Sequence, residues 1–454
     1  MSSTPPVQFT GLGSGIDWQS IVQQLIQLDS QPITQMQQQQ GALQAASSAW
    51  STIQSELQAF ESAAQALTQS TLFSAVTASS SDTGVLAVSG TNGATPGSYA
   101  VQVKALATGP VITGNVNVSK VNPNDTLQNQ FGITSSGAWT IVYTDSSGNS
   151  TTVSVGYDPN QTLAQVAEAV ATRTGGAVQL TLGPNGYMQL VGSATGSQAS
   201  LALTADTGAL AADLGFTAGA PAVYGGDASF VVQGQNAGYP QTSHTNTVTL
   251  TGALSGLTMT LTGVGTATIT VSANQQPFTD AVNAFVSEYN KLVGLLQKET
   301  TLGDPSTTAD DGPLANDLAA QGMAFRLRQI VTSAVAGATT YQSLADIGIG
   351  TSGTDNQLAV TDSAKLSAAL QANPQAVLAL LTNGSGTGVV DQLSRYVDSM
   401  AGNALGGVSG VIPSIEQSLS DQIRQISDQI TAFQSRLDLE QQTLTQQFLA
   451  MEAA

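Results

Sequence analysis

The chain has no cysteine and a single histidine, His244. Thiolate and paired-imidazole zinc sites are therefore excluded, and so is a disulfide framework. A serine–histidine–aspartate triad would have to use His244, yet no G-x-S-x-G elbow occurs. In Thr242-Ser243-His244-Thr245-Asn246 the histidine reads as a surface-loop residue. Bases are scarce: 11 Lys and Arg against 30 Asp and Glu give a net charge of −19, and the first base is Lys104. Phosphate binding needs clustered Lys and Arg, so nucleic acid is excluded as a partner. No apolar run approaches the roughly 18 residues of a membrane span, so membrane insertion is not expected. Met1-Ser2-Ser3-Thr4-Pro5-Pro6 lacks the basic and apolar regions of a Sec signal peptide. If the protein leaves the cell, it does so without a cleaved signal, and the absence of cysteine suits export in an unfolded state into an oxidising space.

Cofactor and metal motifs are missing as well. Gly11, Gly13 and Gly15 are followed by Ile16 and Asp17, which breaks the G-x-G-x-x-G spacing of a dinucleotide site. Asp304, Asp310 and Asp311 form an acidic loop without EF-hand spacing and read as solvated. No catalytic, cofactor-binding or metal-binding residue is assigned, and the chain is not expected to be an enzyme. Only 9% of residues are charged, against about 25% in ordinary globular domains, so the surface must be built from Gln, Ser, Thr and Asn.

The informative pattern lies at the two ends. Met36, Leu43, Trp50, Leu57 and Ala64 fall seven apart, interleaved with Ala46, Ile53, Phe60 and Leu67. Near the C-terminus Ile412, Ile415, Leu419, Ile423, Ile426, Ile430, Phe433 and Leu437 alternate by three and four, and Leu444, Phe448 and Met451 continue the series. This is the spacing of a coiled-coil seam. Glu440 falls between Leu437 and Leu444, a seam position at which a carboxylate would need a partner. Between the ends the period changes to two. Tyr99, Val101 and Val103 follow the turn residues Pro96-Gly97, and Trp139, Ile141 and Tyr143 precede the turn Asp145-Ser146-Ser147-Gly148. One helix interrupts the strands, with Thr162 and Gln165 as a capping box and Gly175 as its end. Helical spacing returns at Pro277, with shorter helices expected at 313–335, 362–371, 374–382 and 387–401 and a hairpin from Ile349 to Val360.

The expected fold is α+β and multidomain: a helical coiled-coil stalk formed by both chain ends and a central helical region, with a two-lobed β-rich head inserted between them. The expected division is a flexible segment 1–38, a stalk 39–70 plus 276–411, an inner head lobe 71–110 plus 222–275, an outer lobe 111–221, and a C-terminal coiled-coil segment 412–454. Burying a Leu, Ile or Phe contributes about 1.5–3 kcal/mol, while ordering each backbone residue costs about 1–2 kcal/mol. With one core residue in about 3.5, the last 40 residues are expected to be fluid until they meet another seam, whereas 40–70 pack internally.

Several short motifs then occur in order along the chain. They are Gly11-Leu12-Gly13-Ser14-Gly15-Ile16-Asp17 with Ile21 and Leu25, Pro96-Gly97-Ser98-Tyr99-Ala100-Val101-Gln102-Val103, Phe285-Val286-Ser287-Glu288-Tyr289-Asn290-Lys291-Leu292, Asp346-Ile347-Gly348-Ile349 and Phe448-Leu449-Ala450-Met451-Glu452. Residues 162–203 resemble a motif shared by flagellin and hook proteins. In this order the motifs resemble the flagellar filament cap (FliD, flagellar hook-associated protein 2) family. The resemblance implies an extracellular, non-enzymatic protein at the flagellum tip, exported by the flagellar type III apparatus. It implies self-association as a ring (pentamer or hexamer), contact with flagellin, and an export chaperone bound at the C-terminal helix. Leu12, Ile16, Ile21, Leu25, Ile423 and Ile426 are the first candidate interface residues. Ile430, Phe433, Leu437, Leu444, Phe448 and Met451 complete the set. The alternatives are flagellin or a hook–filament junction subunit, and an adhesin head on a coiled-coil stalk. The helices at 277–401 weigh against a filament subunit.

Overall fold

The computed structural model describes residues 18–122, 124–234, 238–303, 311–352, 357–402 and 409–453. It divides into two compact units, residues 74–274 and the two flanking segments taken together. The flanking unit begins with helices α1 (Trp18–Asp29), α2 (Gln31–Ala66) and the short α3 (Ser70–Phe73). Pro32 sits in the first turn of α2, where a missing N–H breaks no bond and φ is already helical. The glutamine-rich stretch from Gln35 to Gln44 is helix, in keeping with its apolar spacing.

The inserted unit is β-rich, and its two hydrophobic cores define two lobes. The chain enters through β1 (Val76–Ser80), β2 (Leu86–Ser89) and β3 (Gly97–Ala105). The outer lobe follows as β4 (Val111–Asn117), α4 (Leu127–Phe131), β5 (Gly137–Thr144), β6 (Ser150–Tyr157), α5 (Leu163–Arg173), β7 (Val178–Leu182), β8 (Tyr187–Gly192), β9 (Ser200–Asp206), α6 (Leu210–Asp213) and β10 (Val223–Tyr224). The chain then returns through β11 (Ala228–Val232), β12 (Gln241–Ser243), β13 (Thr247–Thr249), β14 (Thr258–Leu261) and β15 (Gly265–Ala273).

In the inner lobe an antiparallel sheet of order β1-β15-β3-β11-β12 lies with a smaller sheet β13-β14-β2 around Val101, Val103, Phe230, Met259 and Ile269. In the outer lobe the sheets β10-β9-β5-β6 and β4-β8-β7 enclose Trp139, Ile141, Val166, Val170 and Leu190. Trp139 meets Phe216 edge-on at 6.0 Å and Tyr157 at 6.3 Å. The capping box of α5 is present: Gln165 N–H donates to Thr162 Oγ1 at 3.2 Å, and Thr162 N–H donates to Gln165 Oε1 at 2.9 Å. Gly175 closes that helix with φ +61°, a left-handed conformation that disfavours a side chain.

The two lobes are joined by a polar clasp that the sequence does not disclose. Ser197 donates from N–H and Oγ to the Asp227 carboxylate, at 2.6 and 2.8 Å. His244 Nδ1 lies 2.8 Å from the same carboxylate, and Thr195 Oγ1 donates to the His244 carbonyl at 2.8 Å. His244 thus lies in a loop, as expected, with its side chain part-exposed and engaged in the clasp. Gly196 sits within the clasp with φ +97°, and a Cβ there would stand 2.6 Å from the His244 backbone.

After β15 the flanking unit resumes with α7 (Gln276–Thr300), α8 (Leu318–Thr332), the hairpin β16 (Ile349–Ser352) and β17 (Gln357–Val360), then α9 (Ser363–Ala372), α10 (Pro374–Leu381), α11 (Val389–Ala401) and α12 (Val411–Ala453). Its core is the meeting of α2 with α7. Trp50, Ile53, Leu57 and Phe60 face Phe285, Tyr289 and Leu292, all essentially without solvent exposure. Phe60 stacks on Phe285 at 5.2 Å and meets Tyr289 edge-on at 5.8 Å. Trp50 Nε1–H donates at 3.2 Å to Asp317, which also accepts from Ala319 N and Ala320 N as the N-cap of α8.

Two expectations follow. Burial pushes the Tyr289 phenol up to about 12, and its hydroxyl is buried without a hydrogen-bond partner. Tyr289→Phe removes an unsatisfied polar atom and keeps the ring, so thermal unfolding of the helical unit should be unchanged or shifted upward. A loss above about 1 kcal/mol would mean that the hydroxyl is bonded after all. The hydrogen bonds from Ser197 and His244 hold the Asp227 carboxyl near 2, against an ordinary 3.8. Because the folded value is depressed, the clasp stabilises above the ordinary carboxylate range and loses that contribution as pH falls towards 2. A carbon-13 NMR titration of the Asp227 carboxyl should show its midpoint near 2. A midpoint near 4 would indicate an open clasp.

Candidate assembly surface

Helices α2 and α12 meet as an antiparallel pair. The beginning of α12 belongs to the main core: Ile412 is fully buried there, and Ile415 and Leu419 pack against it. Further along, Ile426, Ile430 and Leu437 are buried with Ile33 of α2, flanked by Met36, Leu43 and Phe433. The first half of α2 thus lies against the middle of α12, from Ile426 to Leu437, and α1 also lies against α12.

This seam is shallower than the core it extends. Its four buried residues retain 6–8% exposure, whereas Trp50, Ile53, Leu57 and Phe60 retain none. Two or three helices enclose a narrow stripe of apolar surface, and only deeper layers can remove the last contact with water.

In the structure α12 is one continuous helix, and Ile426, Ile430 and Leu437 of the segment 412–454 have a packing partner within their own chain. The reason is the reach of α2. Its helix extends back to Gln31, through part of the segment 1–38 expected to be flexible, and so supplies Ile33 and Met36 as partners. The expectation for Glu440 is corrected. It is exposed and lines an open cleft with Leu28, Pro32, Gln35, Phe433 and Arg436, so no carboxylate is buried in the seam. The Arg436 guanidinium lies 4.0 Å from the centre of the Phe433 ring and shields that aromatic from water.

The candidate interface residues thus divide. Ile426, Ile430 and Leu437 are committed to the internal seam; Ile423, Phe433, Leu444 and Phe448 are half-buried; Ile21, Leu25 and Met451 are exposed. Leu12 and Ile16 lie outside the described residues, as do Asp17, Asp304 and Asp310. Asp311 accepts from Gly303 N–H, and among the described residues no group of three acids or histidines could hold a metal ion. Among the described residues no helix is long and apolar enough to cross a membrane.

Leu28, which continues the apolar spacing of Ile21 and Leu25, is exposed as well, and so are Leu439 and Leu449. Spacing does not select the last two, because they stand off the seam that a heptad count follows. A second surface was also missed, the outer face of α8, which displays Leu318 and Phe325 at 82% and 72% exposure. Counting outward from its buried face of Met323, Leu327 and Ile330 would have found it.

Known proteins can now be set beside this architecture. The family model described as flagellar hook-associated protein 2 C-terminus matches residues 225–454, and that described as flagellar hook-associated protein 2 N-terminus matches residues 14–109. The flagellar hook-associated protein 2 of Escherichia coli K12 is 25% identical over 97% of this chain and 93% of its own length. The B-type flagellar hook-associated protein 2 of Pseudomonas aeruginosa is 26% identical over 88% of this chain and 84% of its own. Among solved structures, the D1-D2-D3 domains of the flagellar cap protein FliD from Escherichia coli superpose with a TM-score of 0.56 at 23% identity, covering 82% of this chain and 99% of that one. A helical unit made from both chain ends, a β-rich insertion and these matches together place the chain in the flagellar hook-associated protein 2 (FliD) family, the structural proteins of the flagellar filament cap.

Proposed function

We propose that this protein sits at the tip of a growing flagellar filament as a self-associated ring that holds arriving flagellin while it inserts and folds, and that prevents flagellin from escaping. The observation that carries this reading is the graded helical leg. Fully enclosed aromatic packing at Trp50 and Phe60 gives way to a shallow seam at Ile426, Ile430 and Leu437, and then to exposed Leu439, Leu449 and Met451.

The gradient has an energetic meaning. Each seam residue contributes about 1.5–3 kcal/mol of burial, and past Leu437 only the half-buried Leu444 and Phe448 continue the inner face. The end of α12 therefore separates from its neighbours more readily than any part of the core does. A partner helix with its own apolar stripe can take its place transiently, as a chaperone-like scaffold requires. The terminal helices of flagellin are the proposed partner of this kind, and an export chaperone engages the same C-terminal helix before secretion. Export through the flagellar type III apparatus, without a cleaved signal peptide, completes the reading. The net charge of −19 opposes nonspecific association of the exported chain.

The test is complementation of a strain lacking its cap protein, scored by swarming and by flagellin leaked into the medium. The natural chain should restore swarming and retain flagellin, and unchanged leakage would reject capping. Ile430→Asp with Leu437→Asp places two carboxylates in the seam, which should separate α12 from α2 and return leakage to the level of the deletion strain. Melting of the β-rich unit 74–274 should not change. Retention of flagellin by that double variant would show that the seam is dispensable.

A further inference from the structure

The outer face of α8 has no role in the packing described above. Leu318, Gly322 and Phe325 follow one another at four and three residues along it, with Gln329 next in line. Leu318 and Phe325 are more exposed than any other leucine or phenylalanine among the exposed large hydrophobic residues of this unit, at 82% and 72%. Gly322 between them costs the helix about 1 kcal/mol relative to alanine. Nothing among the described residues requires that glycine, because a Cβ there would meet no atom within 4 Å. Gly41 and Gly294 are equally open, so a glycine alone signifies little. Here it leaves a notch between two large apolar side chains, the shape that accepts one knob from an approaching helix.

Charge narrows the choice of that helix. In a chain of net charge −19, the segment 318–332 contains Arg326 and Arg328 and no acid. Both arginines are exposed, and Arg326 bonds along the same helix to Gln329. The complementary segment is the end of α12. Its outward face carries Leu439, Gln442, Gln446 and Leu449 at helical spacing, with Leu439 and Leu449 exposed. From Leu437 to Ala453 that segment contains Asp438, Glu440 and Glu452 and no base.

The same molecule cannot make this contact. Ile412 at the start of α12 shares a core with Met323 and Leu327 of α8. Leu439 and Leu449 lie 27 and 37 residues further along one continuous helix, which is about 40 and 55 Å at 1.5 Å per residue.

We propose that the Leu318–Gly322–Phe325 face of α8 receives the Leu439–Leu449 face of α12 from a second copy of this chain. Two different surfaces of one molecule are used, so the contact is heterologous and propagates from copy to copy, closing where the rotation allows a ring. The proposal rests on the self-association in the function proposed above and adds the surfaces that perform it.

The absence of cysteine gives a direct test in the full-length protein. Gln321→Cys and Gln446→Cys place single thiols beside the two faces. Mixed and treated with a short bis-maleimide, the two variants should give a cross-linked dimer in large excess over that from either variant alone. High salt should reduce the yield, since the screening length falls from about 8 Å at 0.15 M to about 3 Å at 1 M. Arg326→Glu with Arg328→Glu in the first partner should also reduce it, and Asp438→Lys with Glu440→Lys in the second should restore it. Loss of folding could mimic the first effect but not the rescue. Equal cross-linking in mixed and unmixed samples, failure of the rescue, or cross-linking of Gln321→Cys only to a cysteine-bearing flagellin would overturn the contact. A chain that restores capping without the mixed cross-link refutes this contact alone and leaves the proposed function intact.

Discussion

The stacking of Phe60 on Phe285, with Tyr289 edge-on beside it, is the contact on which the helical unit depends. It joins the outgoing chain in α2 to the returning chain in α7 across more than 200 residues of separation. Other elements of the unit pack on the core that contains these rings. Asp317 caps α8 while accepting a hydrogen bond from Trp50, Asn290 holds the backbone of Leu358 in the β16–β17 hairpin at 2.7 and 2.9 Å, and Ile412 starts α12 against the same core.

The depth of packing falls away from that point, and the leg divides in character as a result. Around Trp50 and Phe60, helices cover the core from several directions, and water is excluded completely. Towards Ile33 and Leu437, α2 and α12 continue with little besides each other and α1. One pair of helices thus includes a rigid anchor and an extension held by few contacts, without any change in secondary structure between them.

Periodicity made most of this architecture legible in the sequence. Helical spacing located α2, α7 and α12, the change to a period of two located β3 and β5, and Thr162 with Gln165 marked the start of α5. These signals are local, because side chains that share a face recur at fixed steps along one element. The missed features depend on residues far apart in sequence. Ser197, Asp227 and His244 form a clasp from three separate segments, and no spacing rule connects them. The closure of the C-terminal seam was missed for a related reason. Ile33 lies just beyond Pro32, which reads as an interruption, although a proline in the first turn begins a helix without disturbing it. The face of α8 was hidden because a heptad search follows what is buried, and Leu318 and Phe325 lie on the opposite side.

The β1–β15 pairing has a consequence for how the chain can change. Val76 lies opposite Ala273, and Asn274 donates to the Ala75 carbonyl at 2.9 Å, so the inserted unit begins and ends at neighbouring points. Its two ends are brought together by its own sheet, and the entropy of closing so long a loop is met within the insertion. To α2 and α7, an insertion of any length that begins and ends in such a pair is equivalent to a short loop. The helical unit therefore places almost no constraint on the size of what it carries. Insertions of very different size can be exchanged at this position while the residues around Phe60 stay the same.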